Sequence, residues 1–164
     1  MHAYESEDQL HEALRPYLTV QDGSVQIIDA TGLRGDAIDN LAYTSALGLD
    51  DVKTAARKLI WEIAQEIGCR PASIHDYYIA GGRGVWHNQT TPAINVRGMT
   101  YDTARTIFRA AQKLDVGQVI FEIARSEMGY TEQRPAEYSA SVLAAAIREG
   151  HQGPVFIQGD HFQI

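Results

Sequence analysis

Apolar residues recur along this chain with two different periods, and the change between them divides it. Between residues 7 and 18, Leu10, Ala13 and Leu14 share one side of a helix, and Pro16 discourages its continuation. The run Val25-Gln26-Ile27-Ile28 is short and largely apolar, bounded by Asp22-Gly23 and Thr31-Gly32, and reads as a strand between turns. The firmest helical stripe follows, with Val52, Ala55, Ala56, Leu59, Ile63, Ala64 and Ile67. Asp50 or Asp51 offers its N-cap, and Gly68 stands where a C′ glycine belongs. A further short helix is predicted from Pro71-Ala72-Ser73 to Gly81-Gly82.

From about residue 91 the rhythm alternates. Pro92-Ala93-Ile94-Asn95-Val96 is a short strand, and Thr100 caps a helix over 101–113 with Ala104, Ile107, Phe108, Ala111 and Leu114 on one face. Val119-Ile120-Phe121-Glu122-Ile123 is nearly all apolar, as a strand buried on both faces should be. Pro135 opens a second helix, Gly150 closes it, and Val142, Leu143, Ala146 and Ile147 form its inner stripe. Pro154-Val155-Phe156-Ile157-Gln158 is a third strand, ending at Gly159-Asp160-His161. Strand, helix, strand, helix, strand with short links predicts right-handed crossovers and a parallel sheet. The expected architecture is α/β: a mainly helical region over 1–90, then the first three strands of a (β/α)8 barrel over 91–164. Three strands do not close a barrel, so the open edge is expected to be covered by the first half or by a partner, or the chain to be part of a longer protein, which is the favoured reading.

Composition narrows the classes. The 164 residues are 45% apolar and 21% charged, as in a globular domain. No run approaches the ~18 apolar residues of a membrane span, and the acidic start Met1-His2-Ala3-Tyr4-Glu5-Ser6-Glu7-Asp8 does not read as a signal peptide. A single cysteine, Cys69, excludes an internal disulfide and a cysteine zinc cluster, which fits a cytoplasmic protein. The net charge of −7 argues against nucleic acid as partner while leaving room for a locally basic phosphate-ester pocket.

In a parallel barrel the functional groups gather at the C-terminal ends of the strands. Three segments qualify: Asn95-Val96-Arg97, Ala124-Arg125-Ser126-Glu127, and Asp160-His161. An acid beside an imidazole is common on any surface, but at a barrel mouth it offers a proton carrier next to a metal ligand. Gly81-Gly82-Arg83-Gly84 neither follows a strand nor opens a clear helix, so it reads as a turn rather than a phosphate cradle. Tyr77, Tyr78 and Trp86 beside it read as core aromatics, with a lid or interface as the alternative.

Taken together, Ile94-Asn95-Val96-Arg97 through Thr103-Ala104-Arg105, Val119-Ile120 and Gly159-Asp160-His161 resemble class II, zinc-dependent ketose-bisphosphate aldolases. Gly129-Tyr130-Thr131 through Pro135-Ala136-Glu137-Tyr138 also resembles the accessory subunit of tagatose-bisphosphate aldolases. The likeness spans residues 91–164. It implies that Asp160 is the catalytic acid/base, that His161 ligates zinc, and that Asn95 holds a phosphorylated ketose. Arg125 or Ser126 would contact a hydroxyl or phosphate, and Glu122 matches an acidic position of the accessory subunit or is a paired polar group inside the barrel. It also implies a homo-oligomer or an aldolase partner subunit. The competing readings are a non-catalytic scaffold subunit and a binding module using the barrel mouth.

A catalytic zinc site takes about three protein ligands, and His161 is one. At roughly 3.3 Å per residue, His151 belongs at the opposite end of the third strand. His87 precedes the first strand, and His2, His11 and His75 read as surface residues. The chain by itself is therefore expected to be inactive as an aldolase.

Overall fold

The computed structural model describes residues 1–21 and 23–162. The Ser6 hydroxyl accepts the Gln9 N–H and opens α1 (Glu7–Leu14), which buries Leu10 and Leu14. At Pro16 the chain turns into β1 (Leu18–Gln21), which pairs antiparallel with β2 (Ser24–Ile27). The expected helix thus stops short of residue 18, and the expected strand gains a partner that its own four residues did not advertise. The predicted Asp22 turn position lies outside the described residues; Gly23 takes a left-handed φ of 76°.

Asp29 accepts the N–H groups of Thr31 and Gly32, capping the single turn α2 (Ala30–Gly32). The chain continues through a wide π-type turn, Leu33–Ala37, into α3 (Ile38–Leu47). Thr31-Gly32 is therefore helical and not a turn after a strand. Gly35, with non-helical φ/ψ, kinks the chain just ahead of α3. In α4 (Asp50–Ile67), Val52, Ala56, Leu59, Ile60, Ile63 and Ala64 are buried, and Gly68 ends the helix at φ 90°. Leu49, not an aspartate, is its N-cap; Asp50 and Asp51 sit in the first turn, where negative charge favours the helix dipole.

Pro71 and Ala72 form the short strand β3 (Pro71–Ala72), not a helix start, and α5 (His75–Gly82) begins after it. Then come β4 (Ala93–Asn95), α6 (Thr100–Lys113), β5 (Ile120–Ala124), α7 (Arg125–Thr131), α8 (Pro135–Arg148) and β6 (Val155–Asp160). The sheet runs β3-β6-β5-β4, parallel throughout. The chain is thus mixed α/β, and the three expected strands are adjacent, parallel and in sequence order. β3 pairs only with Val155 and Phe156, so it lies on the outer edge of β6 over its first two residues. Two details of α6 differ from expectation. Met99, at φ 46°, is its N-cap, and Leu114 is exposed while Ala104 and Phe108 are buried.

Strand register sorts the side chains onto two faces. Ile94, Phe121, Ile123, Val155 and Ile157 face α6 and α8 and belong to the main core. Asn95, Glu122, Gln158 and Asp160 share the opposite face with Ile120 and Phe156. There Phe156 meets Tyr77 of α5, whose ring stacks on Trp86 at 4.4 Å. A Cβ on Gly81 would stand 2.6 Å from the Trp86 ring, so this glycine provides close approach rather than flexibility.

The helical N-terminal region does not have a core of its own. One buried cluster runs from Tyr4 to Val155, and α3 and α4 pack on α8. α8 is buried from Ala140 to Ile147 without interruption, unlike a barrel helix with one wet face. Asp39 of α3 accepts the Tyr101 hydroxyl and the Arg148 Nε (3.0 Å), while Glu149 accepts the Arg105 Nε at 2.6 Å, tying α3, α6 and α8 together. Cys69 is buried, and burial pushes its thiol up to about 11, which leaves it unreactive. No helix among the described residues is long and apolar enough to cross a membrane.

Candidate functional site

The C-terminal ends of β4, β5 and β6 bring charged side chains together. Asn95 is the last residue of β4, and Asp160 the last of β6. They flank β5 on one face, and the Asn95 Nδ2 donates to the Asp160 Oδ2 at 3.0 Å across it. The same nitrogen lies 3.3 Å from each carboxylate oxygen of Glu127. Glu127 sits in the first turn of α7, where its Oε2 accepts the Ala124 N–H at 2.9 Å, one half of a capping box. Its Oε1 accepts the Arg97 Nε at 2.6 Å.

Glu127 is 3% exposed, and it is the one charged side chain among the buried described residues. Burial pushes its carboxyl up. The bonds from Ala124, Asn95 and Arg97 outweigh this and hold it below the ordinary glutamate range, so it is ionised. Arg97 is solvent-exposed, and its bond to Glu127 holds the guanidinium more firmly protonated.

The sequence-predicted residues fare differently. Asn95 and Asp160 converge. His161 follows Asp160 in a left-handed conformation, φ 52°, its side chain 85% exposed and its Nε2 3.3 Å from the Asp160 Oδ1. Arg125 and Ser126 are exposed on the first turn of α7, at the same end but outside the hydrogen-bonded cluster. Glu122 sits one row deeper, its carboxylate accepting the Gln158 amide. Its backbone carbonyl accepts the buried Tyr138 hydroxyl at 2.7 Å, pinning α8 to β5. In the sequence Glu127, the organising group, stands out only as the last residue of the Ala124-Arg125-Ser126-Glu127 strand-end segment. Its one signal was a glutamate at the third position of a helix start, which sequence reading takes for a cap.

His151 lies at the other end of the sheet, its ring 4.9 Å from that of Phe108 and its Nε2 3.2 Å from the Pro154 carbonyl. Burial lowers its pKa. It lines a cavity of about 350 Å³ with Phe108, Val119 and Phe121. His2, His11, His75 and His87 are exposed.

Zinc finds an incomplete donor set. His161 offers one imidazole and Asp160 one carboxylate, already shared with Asn95 and His161, where a catalytic site takes about three protein ligands. Among the described residues no group of three His, Cys, Asp or Glu is placed to hold a metal. These side chains alone do not make a zinc site.

No protein-family model, curated protein or solved structure matches the chain.

Proposed function

We propose that this chain carries the acid/base side of a class II aldolase-type site acting on a phosphorylated ketose, on a barrel whose consecutive strands include β4, β5 and β6. The observation that carries this reading is the Asn95–Asp160 hydrogen bond, which joins two strand-end residues 65 positions apart at the end where barrels keep their chemistry. Asp160 accepts a hydroxyl proton as the C–C bond breaks and returns one in the condensation direction. Asn95 holds a substrate hydroxyl, and Arg125 and Ser126 stand at the rim for a hydroxyl or phosphate. Zinc bound at this mouth would supply polarisation of the substrate carbonyl. Within this chain His161 would be its ligand, with the remaining ligands from outside the described residues. A second copy or an aldolase partner subunit could supply them and cover the outer edge of β6.

The test pairs zinc content with aldol cleavage of ketose phosphates, measured on the chain assembled with the second copy or partner subunit that completes the zinc ligands. Asp160→Ala should lower turnover at least about 100-fold with metal content nearly unchanged. His161→Ala should lower bound zinc. Full activity in zinc-free protein would overturn the class II assignment, and unchanged turnover in Asp160→Ala would overturn the role of that carboxylate. The incomplete donor set favours one second reading, the accessory subunit. It predicts no cleavage by this chain with zinc, but a rise in activity or thermal stability of a partner aldolase.

A further inference from the structure

We infer that Glu127 is a positioning residue that fixes which way the Asn95 side-chain amide faces, so that the Asn95 carbonyl oxygen is presented at the mouth as the acceptor for a substrate hydroxyl. The inference deepens the proposed function and rests on it for the identity of the ligand.

The amide nitrogen and oxygen of an asparagine have nearly the same shape, so the surrounding partners decide the orientation. Here one end of the Asn95 amide faces three carboxylate oxygens: both of Glu127 at 3.3 Å and the Oδ2 of Asp160 at 3.0 Å. Only a donor suits that position, because an amide oxygen there would meet three acceptors. Both N–H groups are thereby engaged, one toward each carboxylate, and the Oδ1 must point to the other side. Asn95 is half-buried and ends β4, so that oxygen lies at the strand-end mouth. An acceptor in that place suits a hydroxyl donor and repels a phosphate oxygen or a carboxylate. The ligand chemistry follows: the hydroxyl of a ketose, with the phosphate directed elsewhere.

Asp160 alone fixes this orientation less firmly, since its side chain is 26% exposed and its Oδ1 also lies 3.3 Å from the His161 imidazole, so which partner it serves is ambiguous. Glu127 does not share that ambiguity. Its carboxylate is buried, accepts the Ala124 N–H and is paired with Arg97 at 2.6 Å, so it stays an acceptor. Arg97 acts as the counter-charge and Glu127 as the anchor. Asn95 then passes the constraint on to Asp160.

The experiment uses the 15N-labelled protein, with the Asn95 side-chain amide assigned by its loss in Asn95→Ala. In the wild type both amide hydrogens should exchange slowly. In Glu127→Gln they should exchange at least about tenfold faster, because a glutamine amide at 127 tolerates either orientation of Asn95 while still capping α7. Glu127→Asp, which keeps the charge, should restore part of the protection. The ligand arm, run with zinc on the chain in the assembly that completes its ligands, titrates a three-carbon ketose phosphate and the same molecule without its free hydroxyl. The wild type should bind the hydroxylated compound about tenfold more tightly, and the ratio should fall toward one in Glu127→Gln. Exchange in Glu127→Gln as slow as in the wild type would overturn the positioning role. Equal affinity of the wild type for both compounds would overturn the hydroxyl-acceptor role. No binding of either compound would overturn the aldolase reading together with the acceptor role, while the exchange arm still decides whether Glu127 positions Asn95.

Discussion

A glutamate that is 3% exposed costs the fold its hydration, and Glu127 recovers that cost with a backbone N–H, an amide and a guanidinium. The net result is a carboxyl held below its ordinary value. The sign of the pH dependence follows. A depressed folded-state pKa contributes stability that is present above the unfolded value and is lost as pH falls through the folded one. The unfolding free energy of the wild type, from denaturant titration, should therefore fall as pH drops below about 4.5, the unshifted glutamate value, and Glu127→Gln should flatten that part of the profile. A profile in the variant that still tracks the wild type below that pH would show that other carboxylates carry the acid sensitivity. His151 works in a separate window. Burial lowers its pKa, so the stability it contributes is present above about 6.5 and is lost below it.

Among the elements, α5 ends at Gly82, where the glycine pair predicts its stop. Gly81 has to be a glycine for a tertiary reason, because the Trp86 ring fills the space a side chain would take. Trp86 donates its Nε1–H to the Tyr77 carbonyl and stacks on the Tyr77 ring, which carries α5 onto Phe156. Gly81→Ala should push the indole off this stack and destabilise the protein by about 1–3 kcal/mol, the usual range for overpacking. Trp86 emission in a Trp61→Phe background reports the displacement, and an unchanged spectrum with unchanged stability would contradict the close approach. In α8, Leu143 and Ile147 are fully buried between the sheet and the α3–α4 pair. Leu143→Ala should cost about 2–5 kcal/mol by chemical denaturation.

At the scale of the molecule, the N-terminal region covers the face of α8 that a barrel helix would turn to water. One buried cluster spans residues 4–155, so the two halves should unfold in one transition. A chain beginning near residue 91 would expose the outer face of α8 and lose Asp39, the acceptor for Tyr101 and Arg148. Such a truncation should lose its near-ultraviolet circular dichroism while keeping helical signal, the behaviour of a loosely packed state. A sharp, native-like spectrum from it would show that the α3–α4 pair is an addition rather than half of the core.

The amino-acid pattern by itself determined the parallel βαβαβ run, because its middle strand is apolar enough to be buried on both faces and its helices carry apolar stripes, the second bounded by Pro135 and Gly150. It also placed Asn95 and Asp160 at the same end, since in a parallel sheet every strand finishes on one side. The tertiary structure alone decided the rest. β3 owes its pairing to β6, whose paired residues lie 84 positions further on, and two residues beginning with proline carry no period to read. α3 buries Thr44 and Ser45 beside Ile38, Leu41 and Ala42, which blurs its apolar stripe, and it becomes stable by packing on α4 and α8. Glu127 resembles an ordinary helix-start glutamate until the fold brings Asn95, Arg97 and Asp160 around it. A local sequence window cannot show that convergence, because the partners lie 30 to 65 positions apart and meet only when three strands align their ends.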